Sequence, residues 1–403
     1  MLARVGEVAL EVGASAFLVG GPVRDLLLGR TAPDLDVAVE GPVEPITRAL
    51  ADRLEATVRN TTEFMTSTLL LADGLELDIA RTRTESYPTP GALPVVKPAT
   101  LADDLTRRDF AANAMAMALD PKGFGELIDP LSGREDVERR QLRVLHDRSF
   151  EDDPTRMLRA ARFMLRLDFV LETRTEQLLA RGVDQRWAAS ISGARLRNEL
   201  QCIFREAPAR GLVALHELRL FEGMGLAPAA PAACEAAGLL PRAARALEID
   251  LDDADALAAC LGLYAALSAQ DASELALRLM LNAPARDALV QAAALVTEPP
   301  DALTGQARTS EVFLALRGTR PEAALAAWTV LDDSARARLE RYWRELRGAS
   351  AEIDGADLIA AGYTPGPRFT AALEAGLAAK LDGGADRAAQ LAVALNTLDD
   401  VSE

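Results

Sequence analysis

The sequence holds only 3 cysteines and 2 histidines in 403 residues. Cys202, Cys234 and Cys260 are odd in number, far apart and outside any paired ligand spacing, which argues against a disulfide framework or structural zinc and fits reduced packing thiols. His146 and His216 form no His-Asp or His-x-x-x-His pattern, so a fused metal-dependent phosphohydrolase is not expected. Nowhere do about 18–20 apolar residues follow one another without a charge, so no membrane-spanning helix is expected. The first 21 residues do not read as an export signal, because Arg4, Glu7 and Glu11 interrupt their apolar patch and no basic n-region precedes it. A cytoplasmic protein is expected. Also absent are a Walker lysine loop, a dinucleotide-binding glycine fingerprint and any repeat of fixed period.

What is present fits a globular protein. Hydrophobic residues make up 49% and charged residues 26%, too apolar for a disordered chain. At about 100–200 residues per domain, the length implies roughly two to four units. A formal charge of −17 argues at first against a nucleic-acid partner. The acid excess lies mainly in residues 211–403, with 16 basic and 28 acidic side chains, whereas residues 131–210 hold 16 arginines against 13 acids and no lysine. Arginine's planar fork suits phosphates and base edges better than lysine's point charge. A solvated helical region with ion pairs would have the same composition.

Residues 17–19, 35–39, 68–71 and 75–80 are short apolar or β-branched runs between Gly, Pro and Asp punctuation, and read as strands. From about residue 135 apolar positions recur at three and four, and the chain reads as helical to its end. The expected fold is α+β: a head with a small mixed β-sheet and helices over 1–134, then an elongated all-α neck (135–210), body (211–297) and tail (298–403).

Within the head, Phe17-Leu18-Val19-Gly20-Gly21-Pro22-Val23-Arg24 reads as strand, tight turn and short helix. That turn gathers bare backbone N–H groups where an anion is stabilised, and Arg24 lies one turn in. Taken alone, the motif reads as a structural turn. In the next strand Asp34 and Asp36 share one face, opposite Leu35, Val37 and Val39. A second strand, Leu75–Ile79, can offer Asp78 to the same place. Three carboxylates on adjacent strands would repel one another without a hard cation and suit a two-metal centre for displacement at phosphorus. Solvated acids at a strand edge are the plain alternative.

The order GGPVRDLLLG, DLD, DIARTRTESY and DDLTRRDFAANAMAM resembles the head of the class II tRNA nucleotidyltransferase and bacterial poly(A) polymerase family, within the polymerase β-like superfamily. The resemblance covers about residues 15–205. It implies that Gly20, Gly21 and Arg24 hold a triphosphate, that Asp34 and Asp36 bind Mg2+ and activate a primer 3′-hydroxyl, and that Arg108 and Asp109 read the ribose 2′-hydroxyl. Asn113, one helical turn beyond Asp109, is read as supporting that corner, and Asp78 as a third catalytic carboxylate.

Further along, Arg156, Arg159, Arg162 and Arg166 follow at spacings of three, three and four and read as one cationic stripe, needing anions to match it. These anions could be acids of a neighbouring helix or a bound triphosphate. Asp152–Arg156 resembles the family's base-selecting signature, with Asp152 where the family usually has Glu. Asp153 and Arg156 then take the reading positions, where a carboxylate accepts from the amino group of cytosine or adenine and a guanidinium donates to the ring. Arg159 and Arg162 are assigned to nucleotide binding. Arg195 and Glu199 are read as an i, i+4 pair supporting their helix. Residues 86–97 stand where relatives carry a flexible loop, here proline-rich and nearly uncharged.

The resemblance implies template-independent addition of C and A to the tRNA 3′ end from CTP and ATP, with release of pyrophosphate. CC-only addition, A-only addition and poly(A) synthesis are the alternatives within the family. A nucleotide-sugar glycosyltransferase and a non-catalytic RNA-binding module are the rivals from other classes. No stable protein partner is evident. Arg336, Arg338, Arg341, Arg344 and Arg347 are the candidates for local tRNA contact, with a solvated helix as the simpler reading.

Overall fold

The computed structural model describes residues 1–31, 35–61, 66–89, 91–250 and 253–399. These form two compact units, Met1–Glu206 with Ala214–Pro228, and Ala207–Val213 with Ala229–Glu403.

The first unit is built on strands β1 (Ser15–Val19), β2 (Leu35–Glu40), β3 (Thr57–Thr61), β4 (Thr66–Leu70), β5 (Glu76–Arg81), β8 (Ala116–Ala118) and β9 (Leu127–Ile128), in the order β3-β4-β5-β2-β1-β8-β9. Only β2 and β5 run parallel; the other neighbours are antiparallel. Strand alternation divides the residues between two faces. Val37, Val39, Leu77 and Ile79 are buried, and helices Leu2–Glu11 and Val43–Leu54 pack on the sheet with Val5, Val8, Ile46 and Leu50 inward. On the opposite face, Val19 and Ala38 pack with Leu101 and Leu105 of the helix Leu101–Thr106. Asp36 and Asp78 share that face and are only partly covered or exposed. The helix therefore seals one end of the face and leaves the carboxylate end accessible.

Strands β3 and β9 are not marked by the sequence pattern, and three further features depart from expectation. The segment leading into the proline-rich loop pairs as a hairpin of its own, β6 (Arg83–Ser86) with β7 (Val95–Pro98). The strand β8 is Ala-Met-Ala, residues of good helix propensity that pairing with β1 holds extended. Strand structure also continues past 134, where β10 (Gln141–Leu142) and β11 (Val170–Leu171) pair in parallel.

The helix Thr155–Leu167 follows, and packs against the helix Gly193–Glu206. Met157, Leu158, Ala161, Leu196, Leu200 and Ile203 are buried between and around them.

In the second unit the described residues contain helices and no strand. Helices Asp253–Leu267, Ala283–Thr297 and Pro321–Val330 pack together, and a Cβ on Gly262 would lie 2.5 Å from that of Ala292, so a small residue is required at this crossing. A separate cluster of Ile353, Leu358, Ala372, Ala394 and Leu398 joins the last helices. No described helix is long and apolar enough to cross a membrane.

Candidate active site

Gly20 ends β1 and caps the helix Gly21–Leu27 with φ +72° and ψ −128°, a conformation open essentially to glycine. A Cβ there would lie 2.6 Å from Arg108 Nη1, so glycine also makes room for that arginine. From this turn a chain of polar contacts runs through the buried interior. Arg24, 2% exposed, donates from Nε and Nη2 to Asp25 Oδ1 and from Nη1 to Asn113 Oδ1. Asn113 Nδ2 donates to Asp109 Oδ1, which also accepts from the Phe110 backbone N–H. Asp109 Oδ2 accepts from Arg159 Nε at 2.8 Å. Burial alone would raise the Asp109 pKa, but the Arg159 cation and these hydrogen bonds outweigh it and hold the carboxyl at about 2. Burial likewise pulls Arg24 below the ordinary arginine value against the opposing influence of Asp25.

These residues edge a cleft of about 220 Å³. It is lined by Gly20, Gly21, Arg24, Asp36, Arg108, Asp109, Asn113, Arg159 and Arg162, all singled out in the sequence, together with Pro22, Asp25, Phe163 and Arg166. Five arginines thus face three carboxylates, a lining suited to a polyanion. Arg24 has its donors occupied by Asp25 and Asn113. Arg108 donates from Nη2 to Asp104 Oδ2 at 3.0 Å, while its buried Nε and that of Arg162 have no hydrogen-bond partner. Behind the cleft, Glu199 lies 3.6 Å from Arg159 Nη1 and 3.8 Å from Arg162 Nη1, and burial pushes its pKa up despite both cations.

The carboxylates come next. Parallel pairing sets Asp36 of β2 directly beside Asp78 of β5. Thr68 Oγ1, on the strand beyond, donates to Asp78 Oδ1 at 2.5 Å. Asp34 lies outside the described residues, and among those described no three carboxylate, imidazole or thiol groups converge as a metal site. The adjacent oxygen donors of Asp36 and Asp78 suit a hard divalent cation.

Asp153 and Arg156 do not line this cleft. Arg156 is buried and donates to Ser149 Oγ and to the Arg107 carbonyl, bordering a second cavity of about 350 Å³ with Asp152, Glu85, Tyr87 and His146. The single stripe expected for the four arginines is therefore corrected. Arg159, Arg162 and Arg166 border the first cleft, whereas Arg156, the first of the four along the helix, borders the second cavity. Asp153 Oδ1 accepts from Thr155 N and Oγ1 and from Arg195 Nη2. The expected Arg195–Glu199 pair is likewise replaced: Arg195 reaches Asp153 and the Gly91 carbonyl, and Glu199 reaches Arg159 and Arg162. In the second unit, Arg336 donates to the Trp328 and Thr329 carbonyls, Arg338 to that of Leu303 and Arg344 to that of Ala246, while Arg341 forms an exposed ion pair with Glu345. Arg347 packs on the Trp343 ring. Pro22, Asp25, Phe163 and Arg166 line the cleft without a site assignment from the sequence, Arg166 being on the arginine stripe all the same.

A family profile described as "Poly A polymerase head domain" matches residues 16–143. Over 382 residues the chain is 35% identical to the CC-adding tRNA nucleotidyltransferase of Deinococcus radiodurans, covering 92% of this chain and 86% of that protein. The chain belongs to the tRNA nucleotidyltransferase family. It is also 33% identical, over 99% of its own length, to the A-adding tRNA nucleotidyltransferase of Geobacter sulfurreducens, but spans only 47% of that protein; it likewise spans about half or less of two further A-adding relatives. Among solved structures of the family, the Thermotoga maritima CCA-adding enzyme complexed with tRNA matches with a TM-score of 0.81 at 30% identity, covering 98% of this chain and 94% of that one. A CCA-adding enzyme complexed with CTP matches with a TM-score of 0.85 at 29% identity, covering 100% and 95%. Members of this nucleotidyltransferase family are generally dependent on a divalent metal.

Proposed function

We propose that this protein adds C and A to the 3′ end of tRNA without a template, taking CTP and ATP and releasing pyrophosphate. The observation that carries the proposal is the arginine-lined cleft opening beside Asp36 and Asp78. The full-length structural likeness to CCA-adding enzymes solved with tRNA and with CTP supports the choice of substrates. In this reading the protein acts in the cytoplasm. Residues 1–134 form the catalytic head, 135–210 a neck, 211–297 a body and 298–403 a tail facing tRNA.

Each cleft residue has a role in this reading. Gly20 and Gly21 let the triphosphate approach the backbone, and Arg162 and Arg166 supply direct charge. Arg24, with its donors taken, holds Asn113 and the turn in place. Arg108 and Asp109 face the ribose, with Asn113 and Arg159 fixing the carboxylate. Asp34 and Asp36 hold Mg2+, with Asp78 beside them as a third carboxylate. Bound there, the cation supplies Lewis acidity toward the α-phosphate and lowers the pKa of the primer hydroxyl. The primer 3′-oxygen bonds to the α-phosphorus, the α–β phosphoanhydride bond breaks, pyrophosphate leaves, and the hydroxyl proton passes to a carboxylate of this set. Asp153 and Arg156, at the start of the helix that lines the cleft, select the base.

A second reading, CC addition alone, is favoured by the Deinococcus relative, which matches over most of both chains. Product length separates the readings. A tRNA lacking its CCA end, a tRNA ending in CC and an RNA without tRNA features are incubated with CTP, ATP or both. Full CCA synthesis extends the first by three residues and the second by one. Products that stop after two residues favour CC addition, and long adenylate tracts on any RNA overturn the tRNA assignment.

A further inference from the structure

We infer that Phe163 is a positioning residue whose ring holds the guanidinium groups of Arg24, Arg159 and Arg162 together at the cleft. The inference deepens the proposed function and rests on reading the cleft as a nucleoside triphosphate site.

The guanidinium carbons of Arg24, Arg159 and Arg162 lie 5.4, 5.3 and 5.7 Å from the centroid of the Phe163 ring. The ring is buried and lines the cleft, and Phe110 meets it edge-on at 5.9 Å, which fixes its plane. Three cations around one ring repel one another. Carboxylates offset that unevenly: Arg24 has Asp25 and Arg159 has Asp109, both at hydrogen-bond distance. Among the described residues, the one acid within ion-pair reach of Arg162 is Glu199 at 3.8 Å, a carboxyl whose own charge burial disfavours. The electron-rich ring face is then the common group that attracts all three cations. It gathers positive charge before any anion arrives, so less of the binding free energy goes into assembling the site. Sequence pattern hides this role, since a Phe among Leu, Met and Ala on a helix reads as core.

Phe163→Leu keeps an apolar side chain and removes the ring. Phe163→Met, of similar volume to Leu but unbranched and able to adapt to the space, guards against a cavity effect or misfolding, and Phe163→Tyr keeps the ring face. Binding of CTP, inorganic tripolyphosphate and cytidine to the full chain is measured by calorimetry, and KM and kcat for CTP by incorporation into tRNA. The expected result is roughly tenfold weaker binding of CTP and tripolyphosphate in the Leu and Met variants, with KM raised far more than kcat is lowered, and with Phe163→Tyr near wild type. Cytidine binding changes little. Leu and Met variants that melt earlier but bind tripolyphosphate as the wild type does would overturn the inference, since Phe163 would then only support the fold. A wild-type protein that binds tripolyphosphate but not CTP would instead sink the proposed function while leaving the ring's role to be judged on the tripolyphosphate data.

Discussion

Arg159 donates from Nε to Asp109 Oδ2 at 2.8 Å and holds Nη2 2.6 Å from the same oxygen. Because Asn113 and the Phe110 N–H occupy the other oxygen, the carboxylate is fixed before any ribose reaches it. The aspartate assigned to sugar recognition and the arginine helix are thus one polar unit.

That unit predicts a pH dependence. The folded-state pKa of Asp109, about 2, lies below its ordinary value of 3.8. A depressed carboxyl stabilises the fold above the ordinary pKa and loses that contribution as pH falls toward the folded value. Asp109→Asn is expected to lower unfolding free energy by about 2–3 kcal/mol at pH 7. The deficit should shrink between pH 4 and pH 2. Urea unfolding of both proteins across this range checks it; a deficit that stays constant to pH 2 refutes the assignment.

Gly20→Ala tests the turn. Its backbone conformation costs a non-glycine residue about 1–3 kcal/mol, and the added methyl would meet Arg108 Nη1. Relief comes by moving Arg108, which lines the cleft. The variant should therefore combine a modest loss of melting temperature with a rise of roughly tenfold or more in KM for CTP. Retention of wild-type KM would show that Arg108 does not contact the nucleotide.

Arg156 and Arg162 should differ in what their removal costs the fold. Arg156 is buried with hydrogen bonds to Ser149 and the Arg107 carbonyl, so Arg156→Ala leaves unpaired groups and should cost about 2–4 kcal/mol. Arg162 is partly exposed and has only a loose ion pair, so Arg162→Ala should change stability by less than about 1 kcal/mol while weakening CTP binding. Thermal unfolding of the two variants makes the comparison, with calorimetric titration reading CTP binding by Arg162→Ala, and equal losses of stability would contradict it.

The cleft was legible in the sequence to the extent that its chemistry is carried by ordered motifs. Gly20, Gly21, Arg108, Asp109 and Asn113 are short-range features of turn and helix corner, and Asp78 follows from strand alternation. What was not legible depends on packing. Spacings of three and four define a face only loosely, so the stripe read over Arg156, Arg159, Arg162 and Arg166 divides between two cavities. Ala116–Ala118 is extended because β1 offers it an edge, not because Ala and Met favour a strand. The i, i+4 spacing pairs Glu199 with Arg195, whereas both side chains reach across to the Thr155–Leu167 helix region.

The pairing of Asp36 with Asp78 supplies a test of the cation that does not depend on activity. Two carboxylates in direct strand register repel when no cation lies between them. Asp78→Asn removes one charge from an exposed position whose hydrogen bond from Thr68 an amide oxygen can still accept. In the presence of a chelator the variant should therefore be as stable as the wild type or about 0.5 kcal/mol more stable. Adding Mg2+ should raise the melting temperature of the wild type, because the folded state alone binds it, and raise that of Asp78→Asn less. Nucleotide incorporation by Asp36→Asn should fall by roughly two orders of magnitude or more, with Asp78→Asn intermediate. If Mg2+ shifts the melting of both proteins equally, Asp78 is not part of the cation site and acts only through its neighbour.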